Sequence, residues 1–254
     1  MTAILETNKI GITFGGLKAV DKIDFKAEKG EITAVIGPNG AGKTTFFNLI
    51  AGYYTPTFGK VYFEGKDITP LKSYQRAEIG ITRTFQNLNL FKDLSVMENV
   101  LVGFHSRTKC GLFGSMLNIK FKKNEEKSSR EKAMEYLKFV GLEDAASDKA
   151  KNLSYGMQKK LEIARALASK PKLILLDEPA AGLNTQDLDG LSKMILGIKD
   201  MGITVILIEH KMDVVMSISN KITVLSFGEK IAEGTPDEVS QDEKVIEAYL
   251  GKEA

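Results

Sequence analysis

Three features of this chain predict an α/β fold with a mostly parallel central sheet. First, Ile32–Gly37 (ITAVIG) is a short apolar run rich in β-branched residues, which suits a strand buried on both faces. Second, that run leads through a glycine-rich segment into a helix with an apolar face. Third, the stretches 161–179 and 195–210 each join a helical pattern to a run of consecutive aliphatic residues. Strands that alternate with helices in this order are typical of a layered α/β architecture.

The N-terminal part predicts further strands around this unit. Residues 4–36 carry apolar positions that favour strands, and residues 59–68 (GKVYFEGKDI) favour a hairpin. The helix after the glycine-rich segment is expected to end at Gly52. Its predicted buried face consists of Phe46, Phe47, Leu49 and Ile50.

The middle of the chain changes from strand patterns to mixed-charge and helical patterns. Between about residues 87 and 152 a mixed-charge run, 120–132, precedes the helical pattern AMEYLKFVGL, which predicts a helical insert. The charges of this insert are best explained as a solvated face, with contact to lipid headgroups as the alternative. The tail predicts two short strands around Gly228 and a final helix from about Pro236.

Composition excludes several classes of protein. The chain has 254 residues and a net charge of +2, from 35 basic and 33 acidic residues, so it lacks the basic footprint of a nonspecific nucleic-acid binder. A single cysteine, Cys110, excludes an intramolecular disulfide, and two distant histidines exclude a zinc site of Cys/His type. The N-terminus lacks a signal pattern, and the longest uncharged run, 44–59, is broken by polar, glycine and proline residues. We therefore expect a cytoplasmic chain that meets a membrane only through a partner.

The glycine-rich segment matches the phosphate-binding pattern G-x-x-x-x-G-K-[ST]. Its glycines let backbone N–H groups turn toward phosphate oxygens, Lys43 supplies a positive charge for the β/γ-phosphates, and the Thr44 hydroxyl can ligate Mg²⁺. The alternative is an ordinary glycine-rich turn, which the flanking strand and helix make a poor explanation. The residues predicted to bind ATP are Gly37, Pro38, Asn39, Gly40, Ala41, Gly42, Lys43, Thr44 and Thr45.

Two carboxylates follow the aliphatic strand 173–176. Acidic residues at the carboxyl end of a buried strand are costly without a partner, and that edge of an α/β sheet is where ligands bind. We expect Asp177 to help hold Mg²⁺, and Glu178 to orient and deprotonate an attacking water. The alternative is that one of the two acids has a purely structural role.

A further motif, Leu153-Ser154-Tyr155-Gly156-Met157, lies 24 positions before Asp177. This motif looks like the signature loop of the ATP-binding-cassette (ABC) ATPases. The resemblance to that family covers essentially the whole chain. The resemblance implies that Phe14 stacks on adenine, that Gln86 contacts Mg²⁺ and senses a membrane partner, and that His210 contacts the γ-phosphate. It also implies binding in trans to the ATP of a second protomer by Ser154, Tyr155, Gly156 and Met157.

Each of these residues also has an ordinary structural role open to it. A strand aromatic such as Phe14 commonly packs in a core, and a lone glutamine such as Gln86 commonly lies on the surface. His210 follows aliphatic residues and can simply end a strand. Ser154 with Gly156 can form a helix cap or a turn.

Departures from the commonest family pattern give the chain a resemblance to one branch of the family. Tyr155, Met157 and Asn184 stand where glycine, glutamine and aspartate are usual. With the ending KIAEGTPDEV and the insert around 112–132, they resemble the ATPases of branched-chain amino-acid importers. That resemblance implies an ATPase that drives a permease by head-to-tail dimerisation. The alternatives are a lipopolysaccharide-exporter ATPase, a cassette acting on nucleic acid or ribosomes, and a scaffold without turnover.

The resemblance also implies an organisation and a set of partners. We expect one ABC ATPase domain over 1–254, with a nucleotide-binding core at 1–87 and 156–225, a helical subdomain at 88–155, and C-terminal strands and helix at 226–254. Permease subunits would contact Gln86–Val102, with Leu88, Leu90 and Phe91 as apolar contacts. Further partners would be a second cassette, identical or paralogous, and indirectly a periplasmic or extracellular amino-acid-binding protein. No nucleic acid is expected, and the chain would lie on the inner face of the membrane.

Overall fold

The computed structural model describes residues 2–84, 88–105 and 119–250. By contacts the chain divides into two compact units, one formed by Met1–Arg83 with Lys172–Ala254 and the other by Thr84–Pro171. The predicted helical segment, 88–155, lies within the second unit. In the described residues the strands are β1 (Ala3–Phe14), β2 (Leu17–Glu28), β3 (Ile32–Ile36), β4 (Phe58–Phe63), β5 (Lys66–Asp67), β6 (Ile81–Arg83), β7 (Leu173–Asp177), β8 (Thr204–Ile208), β9 (Lys221–Ser226) and β10 (Glu229–Gly234).

The helices of the described residues complete the chain. They are α1 (Lys43–Ala51), α2 (Ser73–Ile79), α3 (Val96–His105), α4 (Ile119–Val140), α5 (Tyr155–Ala168), α6 (Thr185–Asp200), α7 (Met212–Ile218), α8 (Pro236–Ser240) and α9 (Glu243–Leu250), with a single 3-10 turn at Ala150–Asn152. The predicted final helix is therefore wrong in one respect, because two helices occupy that segment. Within the described ranges, none of these helices combines the length and the apolar character that a membrane span requires.

The first unit contains two sheets. An antiparallel sheet has the order β2-β1-β4-β5, and a six-stranded sheet has the order β10-β9-β3-β8-β7-β6. In the second sheet all neighbours pair in parallel except β9 and β10. Every residue of β3, β7 and β8 is buried, which confirms the fold class predicted from their uninterrupted aliphatic runs. Because these strands run in the same direction, the segments after Ile36, Asp177 and Ile208 leave the sheet at one edge.

Helix α1 starts directly after the glycine-rich loop and packs under the same sheet edge. Phe46, Phe47, Leu49 and Ile50 are fully buried, as predicted from their spacing, and the Phe46 ring meets the edge of the Phe25 ring at 5.3 Å between centroids. Gly52 ends the helix in the left-handed conformation that glycine adopts without strain. The helix therefore packs against strands of both sheets of its unit.

The second unit is helical, as predicted. Its buried residues include Val100 of α3, Leu137 of α4 and Leu161 of α5. Asn99 of α3 is fully buried, and its amide accepts from Phe91 N–H at 2.9 Å and donates to the Phe91 carbonyl at 3.0 Å. This pairing shapes the segment that leads into the helices.

Candidate nucleotide-binding site

The loop between β3 and α1 is fixed by close backbone approaches. Gly37 and Gly42 both have positive φ, and a side chain at either position would collide with a backbone carbonyl, that of Leu225 or of Ala19. Only glycine meets both requirements. Asn39 and Gly40, at the tip of the loop, are exposed. The predicted loop therefore has a strand before it, a helix after it and an accessible tip.

The Lys43 ammonium lies inside this loop. It donates to the carbonyl oxygens of Gly37 at 2.7 Å and Pro38 at 2.9 Å, and only 6% of the residue is exposed. Burial lowers the pKa of Lys43, while the nearby carboxylates of Glu178 and Asp177 act in the opposite direction. A buried ammonium of this kind gains from an additional negative charge, which a phosphate group supplies.

Asp177 ends β7, and its side chain forms a buried ion pair. Arg83, the last residue of β6, donates to Asp177 Oδ2 at 2.6 Å and to Asn48 Oδ1 at 2.5 Å. Its guanidinium also lies over the rings of Phe47 and Tyr53 at 5.9 and 5.7 Å. Sequence reasoning missed Arg83, because the two partners are 94 positions apart and only the parallel pairing of β6 with β7 brings them together.

The next residue, Glu178, contacts His210. Glu178 Oε1 lies 3.1 Å from His210 Nε2, and the two side chains keep 18% and 39% of their surface exposed. Glu178 has a φ of 49°, which is unusual for a residue with a side chain. Strain of this kind is often found at functional sites. The structure thus brings together two residues that the sequence places 32 positions apart.

A second buried carboxylate, Glu209, directly precedes His210 in the chain and was not predicted. Its oxygens accept from the backbone N–H groups of Ala180, His210 and Lys211 at 2.6, 2.8 and 3.2 Å. The only sequence signal was an acidic residue directly after the aliphatic strand β8, the same pattern that singled out Asp177 and Glu178 after the aliphatic run 173–176.

The donor set suits a magnesium ion held jointly with a nucleotide. Asp177 offers a carboxylate and Thr44, which is exposed, offers a hydroxyl, and both are the oxygen ligands that Mg²⁺ prefers. Among the described residues, no cluster of three or more His, Cys, Asp or Glu side chains exists that would hold a metal alone. Mg²⁺ usually keeps water and phosphate ligands, so this sparse set fits it. Gln86, the third predicted ligand, lies outside the described residues.

Phe14 ends β1 and is not a core residue. It is 44% exposed, and its ring meets Tyr54 edge-on with 5.4 Å between centroids. The structure therefore leaves the ring surface that stacking on a base requires.

The predicted signature loop lies in the other unit, at the start of α5. Ser154 caps this helix by accepting from Met157 N–H at 3.3 Å, and Tyr155 is 45% exposed with Lys159 over its ring. Gly156 and Met157 are half-buried. Asn184, which stands where the family usually has aspartate, caps α6 by accepting from Asp187 N–H at 2.9 Å. Asparagine and aspartate are equivalent in this role.

Most of the chain matches the model of one protein family. A family model described as "ABC transporter" matches residues 20–181, more than half of the chain. The chain belongs to the ABC transporter family. A second model, described as "Branched-chain amino acid ATP-binding cassette transporter", matches residues 229–254 of the same cassette.

Relatives of this ABC cassette match it end to end. The high-affinity branched-chain amino acid transport ATP-binding protein BraF of Pseudomonas aeruginosa is 40% identical over 98% of both chains. The protein LivG of the same description from Escherichia coli K12 shows the same identity and coverage. Among solved structures, an ABC transporter cassette in its ADP conformation is 38% identical, covers 99% of this chain and all of its own, and has a TM-score of 0.86. A dimeric bacterial ABC transporter cassette is 27% identical over 91% of this chain and 98% of its own, with a TM-score of 0.76.

Proposed function

We propose that this chain is the ATP-hydrolysing subunit that powers a membrane permease importing branched-chain or related hydrophobic amino acids. The observation that carries the hydrolytic part is the contact of Glu178 with His210, 3.1 Å apart at the sheet edge where Lys43 and Asp177 also lie. The import part is supported by the names of BraF and LivG as branched-chain amino acid transport ATP-binding proteins, since this chain matches 98% of each.

The residues divide the chemistry between them. Lys43 and the loop N–H groups hold the β- and γ-phosphates, and Phe14 stacks on the adenine ring. Glu178 accepts the proton of a water as its oxygen attacks the γ-phosphorus, and the bond from that phosphorus to the β–γ bridging oxygen breaks to give ADP and phosphate. His210 orients the γ-phosphate and the water. Thr44, Asp177 and Gln86 would hold Mg²⁺, which would neutralise part of the phosphate charge.

The pocket is completed by a second cassette, identical or paralogous. Ser154, Tyr155, Gly156 and Met157 of one protomer would contact the γ-phosphate held by the other. The exposed start of α5 suits this role, because a helix N-terminus attracts anions. The relative that is dimeric supports a two-cassette assembly. ATP then joins the pair, and hydrolysis releases it.

The permease would dock on the segment before α3, with the chain peripheral on the inner membrane face. Phe91 is 50% exposed there, and its backbone is fixed by the buried Asn99. Arg165 also supports it: its guanidinium lies 5.9 Å from the Phe91 ring and donates to the Asn89 carbonyl at 2.6 Å. An exposed aromatic on such a rigid support suits a protein–protein contact.

Co-purification from native membranes tests this function. The wild-type chain should bring down two amino-acid permease subunits and a second cassette. Phe91→Asp should lose the permease subunits, because it places a charge in an apolar contact. Tyr74→Asp, at an aromatic residue 62% exposed in the other unit, is the matched control and should keep them. ATP turnover of the isolated Phe91→Asp protein should be unchanged. Capture of a lipid-extracting permease, or unaltered capture by Phe91→Asp, would contradict the proposal.

A further inference from the structure

The carboxylate of Glu209 connects two loops at the point where the sheet stops connecting them. Strands β7 and β8 pair as far as Asp177 and Ile208, and the last bond runs from Glu178 N–H to the Ile208 carbonyl at 2.9 Å. Beyond this bond the chain after β7 continues to Ala180, and the chain after β8 continues to His210. Their relative position then depends on side chains.

Glu209 itself belongs to the loop after β8, and one of its two oxygens makes the connection to the other loop. Oε1 accepts from Ala180 N–H in the first loop, and Oε2 accepts from His210 N–H and Lys211 N–H in the second. The residue is 2% exposed. A buried carboxylate is tolerated only with such donors, and bonds to an ionised acceptor are about twice as strong as neutral ones.

We propose that Glu209 is a positioning residue for ATP hydrolysis. By holding the loop that follows Glu178 to the loop that begins with His210, it sets the 3.1 Å separation of these two side chains. Within the described residues, its hydrogen bonds run to neither the phosphate loop nor the Glu178 side chain. The inference rests on the roles proposed above for Glu178 and His210.

The arrangement requires a carboxylate of this length. Glutamine has the same shape but one acceptor oxygen, so its NH₂ group would face a backbone N–H in one of the two loops. Aspartate keeps the charge but is one methylene shorter, so its carboxylate cannot reach Ala180 N–H in the first loop from the same backbone position. Both substitutions should therefore loosen the connection without removing side-chain volume on a large scale.

Kinetics give the first readout. In Glu209→Gln we expect kcat for ATP hydrolysis to fall about 10²-fold, since small misplacements of catalytic groups have effects of that size. KM for ATP should stay within about twofold, because a mutation that leaves substrate binding intact affects kcat alone. In Glu209→Asp kcat should also fall. This variant replaces Glu209→Gln as the test if the glutamine variant does not fold.

A spectroscopic readout separates positioning from a merely structural role. The chain has only two histidines, so protein labelled with ¹⁵N-histidine gives two backbone amide signals, and His105→Asn identifies them. The His210 amide donates to Glu209, so its signal should move upfield in Glu209→Gln while the His105 signal stays in place. A fall in kcat together with this movement supports the inference. Unchanged kcat, or an unmoved His210 signal, would overturn it.

Glu178→Gln, measured alongside, separates the two levels of the proposal. Normal turnover in Glu178→Gln would mean that the proposed role of Glu178 is wrong. Lost turnover in Glu178→Gln together with normal turnover in Glu209→Gln would overturn only the positioning role.

Discussion

Glu178→Gln is expected to lower ATP turnover by about 10²–10⁴-fold, the usual contribution of a positioned general base. Glutamine keeps the size and the hydrogen bond to His210 but cannot take a proton from water. Nucleotide binding should stay normal, because Lys43 and the loop, not Glu178, hold the phosphates. The variant should therefore accumulate as an ATP-bound dimer, which size-exclusion chromatography with ATP would detect.

The matched control is Glu247→Gln, the same substitution at an exposed position of α9. It should leave turnover and oligomeric state unchanged. Normal hydrolysis in Glu178→Gln would remove Glu178 from the role of base.

Lys43→Ala is expected to weaken ATP binding by about 10²-fold or more, since hydrogen bonds to charged groups contribute about 1.5–3 kcal/mol each. The substitution also leaves the Gly37 and Pro38 carbonyls without the ammonium that they bind. Lys43→Arg tests charge against geometry. It keeps a positive charge, but the planar guanidinium does not fit a pocket formed around a compact ammonium, so binding should also weaken.

Calorimetric titration with Mg²⁺·ADP and Mg²⁺·ATP would measure the nucleotide affinity of both Lys43 variants. Lys160→Ala, on the helical unit, serves as the control for loss of one positive charge. Wild-type affinity in Lys43→Ala would contradict the assignment of the phosphate loop.

The phosphate loop and the acidic pair could be predicted because each is local in sequence. Strand, glycine loop and helix follow one another within 32–51, and Asp177 and Glu178 directly follow an aliphatic run. The runs of β3, β7 and β8 also predicted the sheet, because strands buried on both faces tolerate few polar residues.

Arg83 and Glu209 could not be predicted, because their partners are distant in sequence. Arg83 reaches Asp177 across 94 positions, and Glu209 reaches Ala180 across 29. Helix α2 and strand β6, with seven and three residues, are too short to show a period. The roles of Gln86, Phe14 and the signature loop stay predictions.

The central claim is that each nucleotide pocket combines the phosphate loop of one cassette with the start of α5 from another. Ser154→Asp keeps the helix cap, because aspartate caps as well as serine, but places a negative charge against the γ-phosphate. Ser154→Asn keeps the cap without the charge and is the control. Ser154→Asp and Lys43→Ala should each be inactive alone.

Mixing those two inactive proteins is the most direct measurement. A mixed pair has one pocket in which Lys43 and Ser154 are both unaltered, so ATP turnover should reappear on mixing. The claim would be contradicted if Ser154→Asp were fully active alone, with a rate per molecule that dilution does not change and that mixing does not raise.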